Sequence, residues 1–519
     1  MLSVYSISQG DWLSEAAANQ NTYRVEIAKL RGMIYDCRQT PLVGREKVNI
    51  AAVVPCIEST NALTQVLSGT EREDLLKLAT NGSPFAFNLK EKEVSGEGID
   101  LFKIPVRYEK RQLCEHVIGY LDGSGKGIAG IEKAYDEYLA DTGAAVSVKY
   151  KVDALNRILE GDERVIDDRS YLMTKGVVLT IDSRIQEIAE NAAEHHLKNG
   201  AVIVTEVPSC KIRAMVSLPS FSPNNVGKSL NDQNAPLMNR ALSSYNIGSV
   251  FKLVVAAAAL ESEVSSDLNY DCKGALDIEG YEFHCFGGQA HGTVDMKNAI
   301  AHSCNTYFIN LAQSIDPKQL LGMAKSLGFG NALELAPGLL SDEGNLPSEK
   351  HLIDKKARAN FSFGQGSLLT TPIQISGLIN TIASKGVYQP PKLVEGVVNE
   401  NLEFIQKNNF PEGQKVISEQ TAETLKEGMK ASVEYGTSNK GKPEYVQAAE
   451  KTSTAETGLK IDGKPVDQAW CAGFYPADQP KYSIVILAEN GVGGGESCGP
   501  VFKEIADEIY KKLPGALLP

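Results

Sequence analysis

Ser249 and Lys252 lie three positions apart in Tyr245-Asn-Ile-Gly-Ser-Val-Phe-Lys-Leu-Val-Val-Ala-Ala-Ala-Ala-Leu260. Residues i and i+3 share a helix face, so this spacing brings an amine towards a hydroxyl. A serine hydroxyl is a weak nucleophile until a neighbour takes its proton. A lysine can do so only as the free amine, which requires its pKa to fall several units from ~10.4 through burial or a second cation. Val250 to Leu260 is apolar on all sides, as in a helix buried within a large domain, and Gly248 permits a sharp entry to it. Free N–H groups at the helix start add positive potential beside the pair. Alone, the tetrad also fits a helix cap with a snorkelling lysine. Two further polar sets follow: Ser303-Cys-Asn305 between helix-like segments, and Lys451-Thr452-Ser453-Thr454-Ala-Glu456 at a strand-like boundary.

Cys272, Cys285 and His291 form a different group, with His284 beside Cys285 and His302 beside Ser303. Two thiols and several imidazoles suit a tetrahedral zinc, although the spacing matches no compact finger. A Cys272–Cys285 disulfide and unpaired core cysteines are the rival readings. Cys304 reads as a small buried hydrophobe rather than a reactive thiol.

These side chains need a large frame. At 519 residues the chain suggests two or three domains, and its 42% hydrophobic and 23% charged residues are those of a globular protein. A net charge of −13 excludes nucleic acid or an anionic membrane surface as the main ligand. Nine cysteines are an odd number and no disulfide framework. No run of about 18 apolar residues occurs.

Leu13 to Lys29 carries a weak helical pattern, Leu30 to Arg38 reads as a short strand and turn, and residues 44–113 read as a loosely packed α+β region. Gly119 to Gly130 is a glycine-rich loop without the lysine and hydroxyl of a phosphate-binding loop, followed by a helix over Ile131 to Leu139. A β-branched strand at Lys175 to Asp182 opens a second domain, continued by a helix from Arg184 and strands at Ala201 and Ile212. Tyr482 to Ala488 is a further strand and Pro500 to Leu513 a closing helix. Strands first and last with helices between predict an antiparallel sheet sandwiched by helices.

The order S-x-x-K, S-x-N, K-T-x is the motif set of penicillin-binding proteins and class A β-lactamases. Asn239-Arg-Ala, Ser217-Leu-Pro-Ser-Phe-Ser-Pro-Asn224, Phe363-Gly-Gln-Gly366 with Thr371-Pro-Ile-Gln374, Gly473-Phe-Tyr-Pro-Ala-Asp478 and Pro500-Val-Phe502 all resemble a class B penicillin-binding protein. At the front, Arg31-Gly-Met-Ile-Tyr-Asp36 and Gly127-x-x-Gly130-Ile-Glu132 resemble motifs of that family's non-catalytic pedestal. The resemblance implies an α+β chain with a pedestal over 1–170 and a penicillin-binding transpeptidase fold over 171–519. It also implies a membrane helix ahead of the chain's start and a place on the extracytoplasmic face of the bacterial cell membrane.

By the same resemblance the activity is D,D-transpeptidation of peptidoglycan stem peptides, needing no cofactor for acyl transfer, with β-lactams trapped at the same serine. Ser249 is then the nucleophile and Lys252 its base. Ser303 passes a proton to the departing D-alanine, and Asn305 binds the peptide amide. The N–H groups of Ser249 and Thr454 hold the oxyanion. Lys451, Thr452 and Thr454 hold the terminal carboxylate, a charge-assisted task. A membrane-bound glycan polymerase is the implied partner.

One departure stands out: the family's third motif usually has glycine where this chain has Ser453. Glycine keeps the strand face clear, so serine there predicts reduced or altered acylation. Two other functions share the motifs. A β-lactam hydrolase needs a base for its deacylating water, which no residue marks, and lacks a pedestal; a scaffold or sensor binds without turnover.

Overall fold

The computed structural model describes residues 22–153, 158–159, 164–461 and 464–516. Its first element, β1 (Thr22–Lys29), is a strand where a helix was expected. Val25 and Ile27 are buried while Arg24 and Glu26 are exposed, a two-residue period that only an extended chain satisfies. The upstream part of that expected helix lies outside the described residues. After β2 (Met33–Tyr35) come β3 (Lys47–Val53), α1 (Ile57–Val66), α2 (Gly69–Ala79), β4 (Phe85–Lys90) and β5 (Ile99–Pro105). They form an antiparallel sheet ordered β4-β3-β5. Alternate residues of β3 face opposite ways: Ala51 and Val53 pack with Leu63 and Leu75 of the helices, and Ala52 packs with Val25 and Val146. Val146 belongs to β6 (Ala145–Lys151), which lies between β1 and β7 (Val165–Asp168).

The two motifs at the front of the chain meet in space. Arg31 and Arg107 clamp the fully buried Glu132 at 2.8 and 2.5 Å, and Arg31 also reaches Asp136 at 2.7 Å. A buried carboxylate is tolerated because two guanidinium groups partner it. Gly127 is required because a Cβ there would lie 2.0 Å from the Glu132 carbonyl oxygen. The helix expected over Ile131 to Leu139 is two short helices, Gly130–Ala134 and Asp136–Ala140, parted at Tyr135. At the break Asp136 turns its carboxylate to the Gly127 N–H and to Arg31.

The second half begins with β8 (Gly176–Leu179), α3 (Ser183–His196), β9 (Gly200–Glu206) and β10 (Ile212–Leu218). Next come α4 (Lys252–Glu261), β11 (Tyr270–Cys272), β12 (Ala275–Ile278), β13 (Tyr281–His284), β14 (Gly292–Val294), α5 (Met296–Ala301) and α6 (Asn305–Gln313). Then α7 (Pro372–Ala383), β15 (Val394–Val398), β16 (Phe404–Lys407) and α8 (Glu419–Glu434) lead to the long hairpin β17 (Ala449–Ile461) and β18 (Lys464–Tyr475). β19 (Tyr482–Glu489) and α9 (Gly499–Lys512) close the chain. The central sheet is antiparallel throughout, ordered β10-β9-β19-β18-β17.

Successive residues of β9 are apolar because both sheet faces are covered. Val202 and Val204 pack under α3 and α9, while Ala201 and Ile203 join the larger core around α4 and α7. A second sheet, β16-β15-β8-β2, takes β2 in parallel beside β8, so strands from both sides of residue 170 share it. No helix among the described residues is long and apolar enough to cross a membrane.

Candidate active site

Ser249 sits in a 3₁₀ turn, Gly248–Phe251, that runs into α4 at Lys252. Residues three apart eclipse in such a turn, so the lysine stands over the serine. Every residue from Lys252 to Ala259 is buried. Burial pushes the Lys252 amine down to about 7. Its Nζ donates to the Ser303 carbonyl at 2.7 Å, to Ser303 Oγ at 3.1 Å and to Asn305 Oδ1 at 2.6 Å. The amine is therefore held by the second motif rather than by Ser249, whose half-buried hydroxyl has no hydrogen bond among the described residues.

Ser303 joins α5 to α6 with φ +56, a left-handed conformation uncommon for a side chain other than glycine. That turn aims both its carbonyl and its hydroxyl at Lys252. Asn305 is the first residue of α6, and its Nδ2 donates to the His284 carbonyl at 2.9 Å. From the far side comes Lys451 of β17, fully buried, donating to Ser303 Oγ at 2.9 Å and to the Thr452 carbonyl at 2.8 Å. Burial, and then the neighbouring Lys252, hold this amine well below the usual lysine range. Ser303 Oγ thus lies between two amines of depressed basicity.

The other third-motif residues are placed differently. Thr452 donates to Thr437 Oγ1 at 2.8 Å, and Thr454, partly exposed, accepts from the Gly494 N–H at 3.3 Å. Ser453 is buried and donates to the Ile247 carbonyl at 2.8 Å. Its side chain is turned against the Gly248 turn that carries Ser249. Thr437 was not foreseen, since an isolated threonine in a loop carries no spacing signal. Glu450 is equally silent in the sequence: it is fully buried beside Cys471, its pKa raised to about 8 by burial, and its Oε1 has no partner among the described residues.

The cysteine group closes up as well. Cys272, Cys285, His291 and Cys304 offer ligand atoms that all lie within 4.8 Å of one another. Cys272 and Cys285 are free thiols 3.7 Å apart, so the disulfide reading does not describe this structure. Cys304, read from the sequence as a packing residue only, is the fourth member, 3.8 Å from Cys285. Its position inside the Ser303 motif, a third thiol within a short stretch, was the available signal. Its hydrogen bond holds the Cys285 thiol well below the ordinary range, and the same contact pushes Cys304 up.

Three of the six separations among these atoms match a tetrahedral zinc, and all six lie within 4.8 Å. Bonds of about 2.3 Å to sulfur and about 2.0 Å to nitrogen place two sulfurs about 3.8 Å apart and a sulfur and nitrogen about 3.5 Å apart. The observed separations are 3.7 and 3.8 Å between sulfurs and 3.4 Å from Cys272 Sγ to His291 Nδ1. His284 points away towards Glu282, and His302 stacks on His291 at 5.9 Å.

The model of the penicillin-binding protein transpeptidase domain matches residues 200–507, and the chain belongs to that family. It is a class B penicillin-binding protein, the class of the peptidoglycan D,D-transpeptidases. It is 32% identical over 348 residues to peptidoglycan D,D-transpeptidase PbpA of Mycolicibacterium smegmatis, covering 62% of this chain and 70% of the relative. Stage V sporulation protein D of Bacillus subtilis is 26% identical over 548 residues, covering 97% of this chain and 81% of the relative. Among solved structures, penicillin-binding protein 2 of Helicobacter pylori superposes with a TM-score of 0.70 at 21% identity, covering 95% of this chain and 99% of that one. Penicillin-binding protein 3 of Mycobacterium tuberculosis, solved with aztreonam, has a TM-score of 0.68 at 23% identity over 96% and 98%.

Proposed function

We propose that the protein is a serine D,D-transpeptidase that cross-links peptidoglycan stem peptides through an acyl-enzyme on Ser249. The observation that carries this is the contact of Lys252, Ser303, Asn305 and Lys451, from three distant segments, at 2.6 to 3.1 Å, with both amines depressed by burial. A neutral amine donates two hydrogens and keeps one lone pair. With the Ser303 carbonyl and Asn305 Oδ1 taking both hydrogens of the neutral Lys252 amine, its third contact, with Ser303 Oγ, falls to the lone pair, which must leave that hydroxyl to accept the Ser249 proton.

Ser249 Oγ attacks the penultimate D-alanine carbonyl, and the N–H groups of Ser249 and Thr454 hold the oxyanion. Lys252 carries the proton, and Ser303 Oγ, bonded to both amines, hands a proton to the departing D-alanine nitrogen as the peptide bond breaks. Asn305 binds the donor amide. Lys451, whose amine burial keeps from holding a charge in the free site, gains its proton as the terminal carboxylate docks beside it, Thr454 meets that carboxylate from the open side, and Thr452 braces the wall through Thr437. An amine of a neighbouring stem then attacks the ester, returning its proton to the serine. A β-lactam is trapped at the same oxygen.

Acyl transfer of this kind draws on no cofactor. Cys272, Cys285, His291 and Cys304 hold a structural zinc, which would fix the Ser303 turn from behind, because Cys304 lies between Ser303 and Asn305 and Cys285 follows the His284 carbonyl that binds Asn305. The site faces the outside of the bacterial cell membrane, with residues 1–170 as the pedestal, and works beside a membrane-bound glycan polymerase. A relative from Helicobacter pylori has been solved in complex with MreC, which supports a place in cell-wall machinery.

The test supplies nascent glycan strands bearing pentapeptide stems and measures free D-alanine with cross-linked products. One D-alanine released per cross-link, both lost in Ser249→Ala, is expected. D-alanine release without cross-links would make the protein a carboxypeptidase instead.

A further inference from the structure

Of the four residues leading into the nucleophile, three are tethered one after another by side chains of the sheet and the fourth by a loop carbonyl. Tyr245 donates its hydroxyl to Glu489 of β19 at 2.8 Å. The N–H of Asn246 donates to Gln468 Oε1 of β18 at 2.7 Å, and its carbonyl accepts from Trp470 Nε1 of β18 at 2.8 Å. The carbonyl of Ile247 accepts from Ser453 Oγ of β17 at 2.8 Å. Gly248 then donates its N–H to the Gly364 carbonyl at 3.0 Å. Ile247 and Trp470 are fully buried, and among these side-chain tethers the Ser453–Ile247 bond is the one shielded from water.

Ser453 is the last side-chain tether before Ser249, and its fit is close. Gly248 has φ +59, and a Cβ on it would lie 2.3 Å from Ser453 Oγ and 3.1 Å from Ala455 Cβ. The serine hydroxyl therefore fills the space beneath the glycine and binds the one carbonyl there.

We infer that Ser453 is a positioning residue: its hydroxyl latches β17 to the turn that presents Ser249, fixing the distance between the nucleophile and the strand that receives the substrate. The inference rests on the proposed acyl-transfer role of Ser249. Without the hydroxyl, the Ile247 carbonyl loses its only side-chain link to β17 among the described residues and keeps just the N-cap role in its own turn, so the turn gains freedom to move relative to β17. Attack distance is sensitive to such freedom, so the covalent step suffers while docking of the ligand does not.

The test is stopped-flow acylation of the intact protein by a chromogenic β-lactam over a range of concentrations, which separates the affinity of the initial complex from the rate constant of the covalent step. Ser453→Ala is expected to lower that rate constant about 10-fold with the initial affinity changed less than about twofold. Ser453→Gly should lose at least as much, and Ser453→Cys, of similar shape with a weak S–H donor, should fall between Ala and wild type. Because rates are measured on the folded fraction, lost stability alone leaves the rate constant unmoved; should the alanine variant not fold, the cysteine variant decides. A rate constant for Ser453→Ala equal to wild type, or a faster Ser453→Gly, overturns the latch. Ser249→Ala run in parallel separates the claims: persistent acylation there overturns the nucleophile itself, whereas its loss together with an unaffected Ser453→Ala rejects the latch alone.

Discussion

The helix that follows Ser249 and the hairpins of residues 270–294 that lie behind Ser303 flank one hydrogen-bonded web, yet they are held by different means. Residues 252–259 are buried to the last, and the turn ahead of them is tied to three strands of the central sheet. Residues 270–294 are short hairpins on the outside, with Tyr281 and Phe286 56% and 85% exposed. In the proposed reading, a zinc on three thiols and an imidazole would do there what apolar packing does for the helix. An apolar core suits a lysine that must lose its charge, because the same desolvation that packs the helix lowers the amine to about 7. The Ser303 turn, with φ +56, joins two helices packed in that same core, and in the proposed reading a zinc would brace it from behind as well.

The largest expected effect strikes the apolar side of this contrast. Lys252→Ala removes the proton acceptor and should lower acylation by a fluorescent penicillin about 10³-fold. Near-normal labelling would remove the lysine from the mechanism.

The second prediction concerns the braced side. Removing zinc with a chelator should lower acylation by roughly 10-fold or more, since binding to the folded state alone contributes folding free energy. Amide exchange should then accelerate in residues 272–294 and stay unchanged in residues 252–259, as expected of separately held units. Equal acceleration in both would erase the contrast. Protein purified without added metal should carry about one equivalent of zinc.

A pH series sharpens the account of the helix. The base works only when neutral and its folded pKa is about 7, so the second-order acylation constant should rise about tenfold per unit below that pH and level off above it. A profile flat from about pH 5 to 9 would mean that another group takes the proton.

The smallest effect lies behind β17. Glu450 has a folded pKa raised to about 8 by burial, so the folded state holds a proton that the unfolded chain releases above its ordinary range. Stability therefore falls as pH rises from about 4.5 to about 8. Glu450→Gln should recover on the order of 4 kcal/mol at pH 8 and nothing near pH 4, read as a difference in melts at the two values.

Much of this was legible from the chain. A dry run after Gly-Ser-x-x-Lys marks a buried helix because no water-seeking residue interrupts it from Val254 to Leu260. The hidden parts share a cause: their partners lie far away in sequence. Nothing local in Lys451-Thr-Ser-Thr shows that Ser453 points to Ile247 or Thr452 to Thr437, because that direction is fixed by strand pairing and by what covers each face. The strand β1 was hidden differently. Its two-residue alternation of Arg24, Val25, Glu26 and Ile27 is short, and the Ala-, Asn- and Gln-rich stretch before it carries a helical pattern that overrides the signal. Cys304 is buried in the core as its sequence reading had it, and only its approach to another thiol within 4 Å was hidden, because that thiol belongs to a separate hairpin.

The most direct measurement is the intact mass of the protein after mixing with a penicillin, followed by peptide mapping. A lasting increase of one penicillin mass per chain, located on Ser249 and missing in Ser249→Ala, is the predicted result. No adduct with intact drug, an adduct on another residue, or free protein with hydrolysed drug would contradict a transpeptidase acting through that serine.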